Sequence, residues 1–155
     1  MKNTVHLLLF LVVALFPLFG KAQQQNSVYD ESLANALGAD DYGMKMYTFV
    51  LLTSGEHTPE DQAVVAAAFA GHMANINRLA KEGKLLLAGP FGPNSDAMRG
   101  LFVFDSADVE QVKGWLAGDP AIEEGFLKAS LYPWYGSAAL PLYLEASEKI
   151  WKVKP

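Results

Sequence analysis

Hydrophobic and polar positions along this chain switch between a strand-like and a helix-like period. The run KMYTFVLLT from Lys45 to Thr53 is rich in aromatic and β-branched residues and predicts a first strand. After a loop over Ser54 to His57, Thr58-Pro59-Glu60-Asp61 offers a hydroxyl N-cap, a proline at the first helical position and acids in the first turn. The helix predicted from there carries an apolar stripe through Phe69, His72, Met73, Ile76 and Leu79, and stops at Glu82 with Gly83 behind it. Lys84 to Ala88 and Arg99 to Phe104 read as two further strands, separated by a polar loop. Ser106 opens a second helix with Val109, Val112 and Leu116 on one face, ending near Gly118-Asp119-Pro120. Ile122 to Gly125 reads as a turn, and Phe126 to Tyr135 as the fourth strand, where Pro133 demands an edge position or a frayed end. A short helix over Tyr29 to Leu37, with Gly38 as its cap, precedes this set. A terminal helix opened by Pro141, with Leu142, Ala146 and Ile150 on one side, follows it.

The order β-α-β-β-α-β is the split βαβ arrangement of an α+β ferredoxin-like fold: a four-stranded antiparallel sheet with both helices on one face. Such a sheet leaves its other face to water unless something covers it. Leu85 to Ala88 and Leu101 to Phe104 are apolar on both faces, so a cover is required. The expected cover is a second copy packed sheet to sheet about a two-fold axis, giving a homodimer of the dimeric α/β barrel type. The terminal segments are the competing cover, and in the favoured arrangement they wrap the edges.

The chain opens with Lys2 in a short basic stretch, then thirteen apolar residues from Leu7 to Phe19, then Gly20-Lys21-Ala22. This is the pattern of a cleavable signal peptide over residues 1–22, too short to span a bilayer of ~30 Å. The expectation is therefore an exported protein, periplasmic or secreted, with no membrane insertion after cleavage near Ala22. The remainder divides into an N-terminal extension (23–44), a ferredoxin-like domain (45–136) and a C-terminal helical extension (137–155). There is no cysteine, hence neither a disulfide nor a lipid-anchoring thiol. The net charge of −5, without a basic run, argues against nucleic acid and anionic membrane surfaces as partners.

Few residues carry chemistry. His72 lies on the apolar stripe of the long helix, where a histidine is more often a satisfied core residue than a catalytic one. Asp119 precedes Pro120 at the end of the second helix, and an ordinary Asp-Pro turn explains it equally well. Together they say more. Helices on one sheet face bring the two within reach, and a carboxylate on one imidazole nitrogen fixes the tautomer and raises the basicity of the other. Arg99 is a candidate for holding an anionic substrate group, against the plainer reading of a surface salt bridge. Tyr132, Trp134 and Tyr135 either line a pocket or pack at an edge. No spacing of His, Asp and Glu suits a metal, and the prolines of GPFGP remove the N–H donors of a phosphate cradle. No cofactor is expected.

Four stretches, GHMANINRLAKEGKLLLAGPFG (Gly71 to Gly92), RGLFVFD (Arg99 to Asp105), GDPAIEEG (Gly118 to Gly125) and LYPWYG (Leu131 to Gly136), resemble the YciI-like, or YCII-related, proteins. The likeness covers Lys45 to Gly136 with its pieces in order. It implies a ferredoxin-like protomer that dimerises into an α/β barrel, and an active site built on a His and an Asp, which fall here on His72 and Asp119. For that His it implies a general base or a phosphohistidine, and for some relatives a part in chloroaromatic degradation. The signal peptide, the Tyr29 to Gly43 segment and the C-terminal helix depart from the short members of that family. The functional expectation is cofactor-independent acid–base chemistry of lyase, isomerase or dehalogenase type on a small molecule. The alternative is a non-catalytic binding or structural module of the cell envelope.

Overall fold

The computed structural model describes residues 26–58 and 61–153. The expected leader lies outside them. In chain order the elements are α1 (Glu31–Leu37), β1 (Met44–Ser54), α2 (Gln62–Lys81), β2 (Leu85–Pro90), β3 (Met98–Phe104), α3 (Val109–Leu116), α4 (Pro120–Glu123), β4 (Leu127–Ser137), a 3-10 turn (Leu140–Leu142) and α5 (Tyr143–Ile150). Among the described residues no helix is long and apolar enough to cross a membrane.

The strands form one antiparallel sheet in the order β2-β3-β1-β4, the ferredoxin-like arrangement. Pro133 sits on the edge strand β4 opposite Thr48, where its missing N–H costs no inner ladder bond. Val50, Leu52, Phe102 and Phe104 on one sheet face pack against Leu79 of α2 and Val112 and Leu116 of α3, forming the main core.

The barrel expectation is corrected here. The sheet is open: β2 and β4 are separate edges and do not join, so it is not closed into a barrel. The second face is indeed apolar, with Tyr47, Leu86 and Val103 buried on it, but Leu140 and Leu144 of this same chain pack there. The Tyr143 hydroxyl donates to the Leu86 carbonyl at 2.5 Å and so occupies an edge acceptor of β2. The physical reason is proximity. The residues that follow β4 are tethered beside this face at high effective concentration, which a separate copy must match by affinity.

Local boundaries also shift. The Asp61 carboxylate accepts from Ala63 N at 2.8 Å, so α2 begins there and not at Thr58; Pro59 and Glu60 lie outside the described residues. Asp108, not Ser106, caps α3 through Glu110 N and Gln111 N. The packed side of α5 runs through Leu144, while Leu142 and Ile150, which the sequence groups on one side, are exposed.

Candidate active site

α2 carries His72 on the face turned to the sheet, where its ring lies edge-on to Phe69 and tilted over Phe102, with centroids 6.0 and 5.8 Å away. Asp119 is the N-cap of α4: its extended backbone, favoured ahead of proline, leaves Oδ1 to accept from Ala121 N at 3.1 Å and Ile122 N at 3.4 Å. Its second oxygen, Oδ2, accepts from His72 Nδ1 at 2.8 Å and from Asn75 Nδ2 at 3.2 Å. Asp119 has no exposed surface and His72 retains 7%. The two residues expected to meet do meet, as a buried hydrogen-bonded contact.

The electrostatics follow from these contacts. Burial pushes the Asp119 carboxyl up. The hydrogen bonds from His72 and Asn75, the charge of His72 and the Ile122 amide outweigh that and hold it below its ordinary value. Asp119 is therefore a carboxylate, and a carboxylate only accepts, so His72 carries its proton on Nδ1. Among the described residues Nε2 has no hydrogen-bond partner, and no enclosed side-chain nitrogen or oxygen is left unpaired. Nε2 therefore reaches open space. His72 lines a cavity of about 1180 Å³ between α2, the β2 edge and α5.

Arg99 lines the same cavity. The register between β1 and β3 slips there, Leu52 opposing Gly100 and Thr53 opposing Met98, so Arg99 is the extra residue of a β-bulge. Bulges re-aim a side chain out of the strand's alternation, and this one leaves Arg99 exposed at the cavity. Arg99 pairs with no carboxylate among the described residues. Tyr132, Trp134 and Tyr135 do not line the cavity. Trp134 lies tilted against Tyr47 and Tyr132 against Phe49, while the Tyr135 hydroxyl donates to Asp40. No three His, Asp or Glu side chains converge to hold a metal among the described residues.

Two members of the site escape a reading of the sequence. Asn75 stands one turn beyond His72 on α2, and that i, i+3 spacing is the signal that marks it. It is itself held by Arg78, whose guanidinium donates to Asn75 Oδ1 at 2.7 Å and to Glu82 at 2.9 Å. Gly71 is the other: a glycine inside a helix costs about 1 kcal/mol against alanine and so signals a close neighbour. That neighbour is Pro120.

The YCII-related domain matches residues 47–134, more than half of the chain. The chain belongs to the YCII-related family. No curated protein matches it. Among solved structures it is similar to 5-chloro-2-hydroxyhydroquinone dehydrochlorinase (TftG) from Burkholderia phenoliruptrix AC1100, in complex with 2,5-dihydroxybenzoquinone, at 19% identity and a TM-score of 0.40, over 56% of this chain and 92% of that one.

Proposed function

We propose that this member of the YCII-related family is a cofactor-independent acid–base enzyme acting on a small molecule by lyase, isomerase or dehalogenating-elimination chemistry. One observation carries the reading: the Asp119 carboxylate holds His72 Nδ1 at 2.8 Å while the same ring lines a large cavity. With Nδ1 committed as a donor, Nε2 is the atom that takes a proton from a bound molecule and returns it elsewhere. Asp119 orients the ring and stabilises the imidazolium that forms. Asn75, donating from Nδ2 to Asp119 Oδ2, keeps the carboxylate from turning away. Arg99 holds an anionic group of the substrate. In the reading proposed here the proton is taken from a carbon acid, so the reading has a test that needs no product. Incubated in D₂O with a panel of small enolisable acids and phenols, the wild-type protein is expected to exchange a C–H of at least one member, and His72→Asn none. No exchange across the panel, or equal exchange by His72→Asn, overturns the reading.

The alternative reading, a binding or structural module, also has an observation in its favour. Asp119 is fully buried, caps α4 and ties it to α2 through two side chains, which is what a structural stitch does. Two further parts of the proposal rest on the sequence: export after cleavage near Ala22, and association as a homodimer. The half-exposed Tyr132 and Trp134 on the part of the sheet beside Phe49 are the surface offered for that association. Light scattering during gel filtration distinguishes one copy from two.

A further inference from the structure

The large cavity does not end at Arg99. A second one of about 280 Å³ adjoins it, and Arg99 and Phe69 border both. The small compartment sets the hydroxyls of Ser54 and Thr58 and the His57 ring around Arg99. Its walls are tied down. Gly55 N donates to the Phe126 carbonyl at 2.8 Å and His57 N to the Gly125 carbonyl at 3.1 Å. Position 55 admits only glycine, since a Cβ there would stand 1.9 Å from the Gly125 oxygen. His57 Nδ1 lies 2.8 Å from the Glu124 carbonyl, and a carbonyl only accepts, so Nδ1 carries a proton and Nε2 is the ring atom left for a ligand. The large compartment is mainly apolar, walled by Leu85, Phe102, Leu144 and Trp151. Arg78 in its rim is already paired with Glu82, and Lys81 and Glu148 there are opposite in sign. Arg99, without a carboxylate partner among the described residues, is therefore the charge that selects what enters.

We infer that the ligand is an amphipathic anion lying across both compartments, its head on Arg99, Ser54 and Thr58 and its apolar body in the large cavity against Phe102 and Trp151. Arg99 at the bulge is the junction, and a molecule passing from one compartment to the other runs along Phe69 and past the His72 ring. Leu144 and Trp151 lie beyond the family-matched residues 47–134, so the body's outer wall belongs to this chain's own C-terminal segment and sets which bodies fit. The assignment of His72 as the reacting group rests on the acid–base reading; the head and body assignments stand apart from it.

Two dyes sharing one body separate these assignments in the full chain: 8-anilinonaphthalene-1-sulfonate, which has an anionic head, and N-phenyl-1-naphthylamine, which lacks it. The wild type is expected to bind the sulfonate roughly tenfold more tightly, the effect of one hydrogen bond to a charged group. Arg99→Gln should bring the two affinities within about twofold by weakening the sulfonate alone, and Arg99→Lys should restore part of the difference. Trp151→Ala should weaken both dyes by roughly tenfold and leave their ratio unchanged, as loss of apolar contact does. Equal affinity of the wild type for both dyes, a preference that survives Arg99→Gln, or unchanged binding in Trp151→Ala each overturns the inference. His72→Asn should keep the dye preference while losing proton exchange. Failed exchange with the preference intact therefore sinks the enzyme reading alone, and the reverse result sinks this one alone.

Discussion

Gly71 of α2 faces the Pro120 ring of α4 so closely that a Cβ on residue 71 would lie 2.5 Å from Pro120 Cγ. This approach sets His72 and Asp119, the next residue along α2 and the residue before Pro120, within hydrogen-bond distance. Gly71→Ala would gain about 1 kcal/mol of helix propensity. It must nevertheless move α4 away, and overpacking of this kind costs roughly 1–3 kcal/mol. The expected result is a lower melting temperature together with loss of the downfield His72 Nδ1–H proton resonance. A variant that keeps both would mean that α4 is not held by this contact.

Asp119→Asn separates geometry from chemistry. Its amide oxygen can still cap α4 through Ala121 N and Ile122 N, but the amide N–H now points at His72 Nδ1. That favours the opposite tautomer, with the proton on Nε2, and the imidazole ceases to be a base. A fall in exchange rate of roughly 10²–10⁴ is expected if the pair is catalytic. If the pair is a stitch, the variant loses about 1–3 kcal/mol of stability and there is no exchange to lose. Thermal unfolding and the D₂O assay on the same sample decide between the two.

The acid limb of stability should bear the signature of Asp119. Its folded-state value is depressed from the ordinary 3.8 by His72, Asn75 and the Ile122 amide, against the upward push of burial. A depressed carboxyl stabilises the fold fully above its ordinary value and loses that contribution as pH falls through the folded-state value. As pH falls from about 5 through the ordinary value of 3.8 and on through the depressed folded-state value, wild-type stability should fall more steeply than that of Asp119→Asn. Urea titrations at several pH values measure the two slopes, and parallel slopes would remove Asp119 from the acid response.

Export predicts a definite new N-terminus. Expressed with its leader, the chain recovered outside the cytoplasm should begin at Gln23, read by intact mass, and replacing Ala22 with a bulky residue should leave the leader attached. A full-length mass in the exported fraction contradicts cleavage.

Much of the fold was legible because it is written locally. The Gly38 cap of α1, the Gly83 stop after α2 and the edge placement of Pro133 each follow from one residue's backbone or hydrogen-bonding preference. The start of α2 was not. Asp61 competes with Thr58 for the same role, and a capping preference worth about 1 kcal/mol does not choose between neighbours. Within the site, His72 and Asp119 stood out as polar residues in apolar or proline-bounded surroundings, whereas Asn75 and Gly71 look ordinary until the partner across the helix contact is seen.

The sequence by itself determined the order of elements, the face of α2 that turns inward and the requirement that the second sheet face be covered, because periodicity and apolarity are properties of each segment alone. Only the tertiary structure decided what covers that face, how Arg99 is aimed and how closely His72 meets Asp119. Leu140 and Leu144 rather than a closing barrel occupy the face, because a tethered segment competes at high effective concentration and no periodicity encodes which apolar surface wins. The bulge at Arg99 is a mismatch of register between two strands, and the 2.8 Å contact depends on a glycine and a proline 49 positions apart in the chain; each is a relation between distant residues, which one segment read alone does not contain.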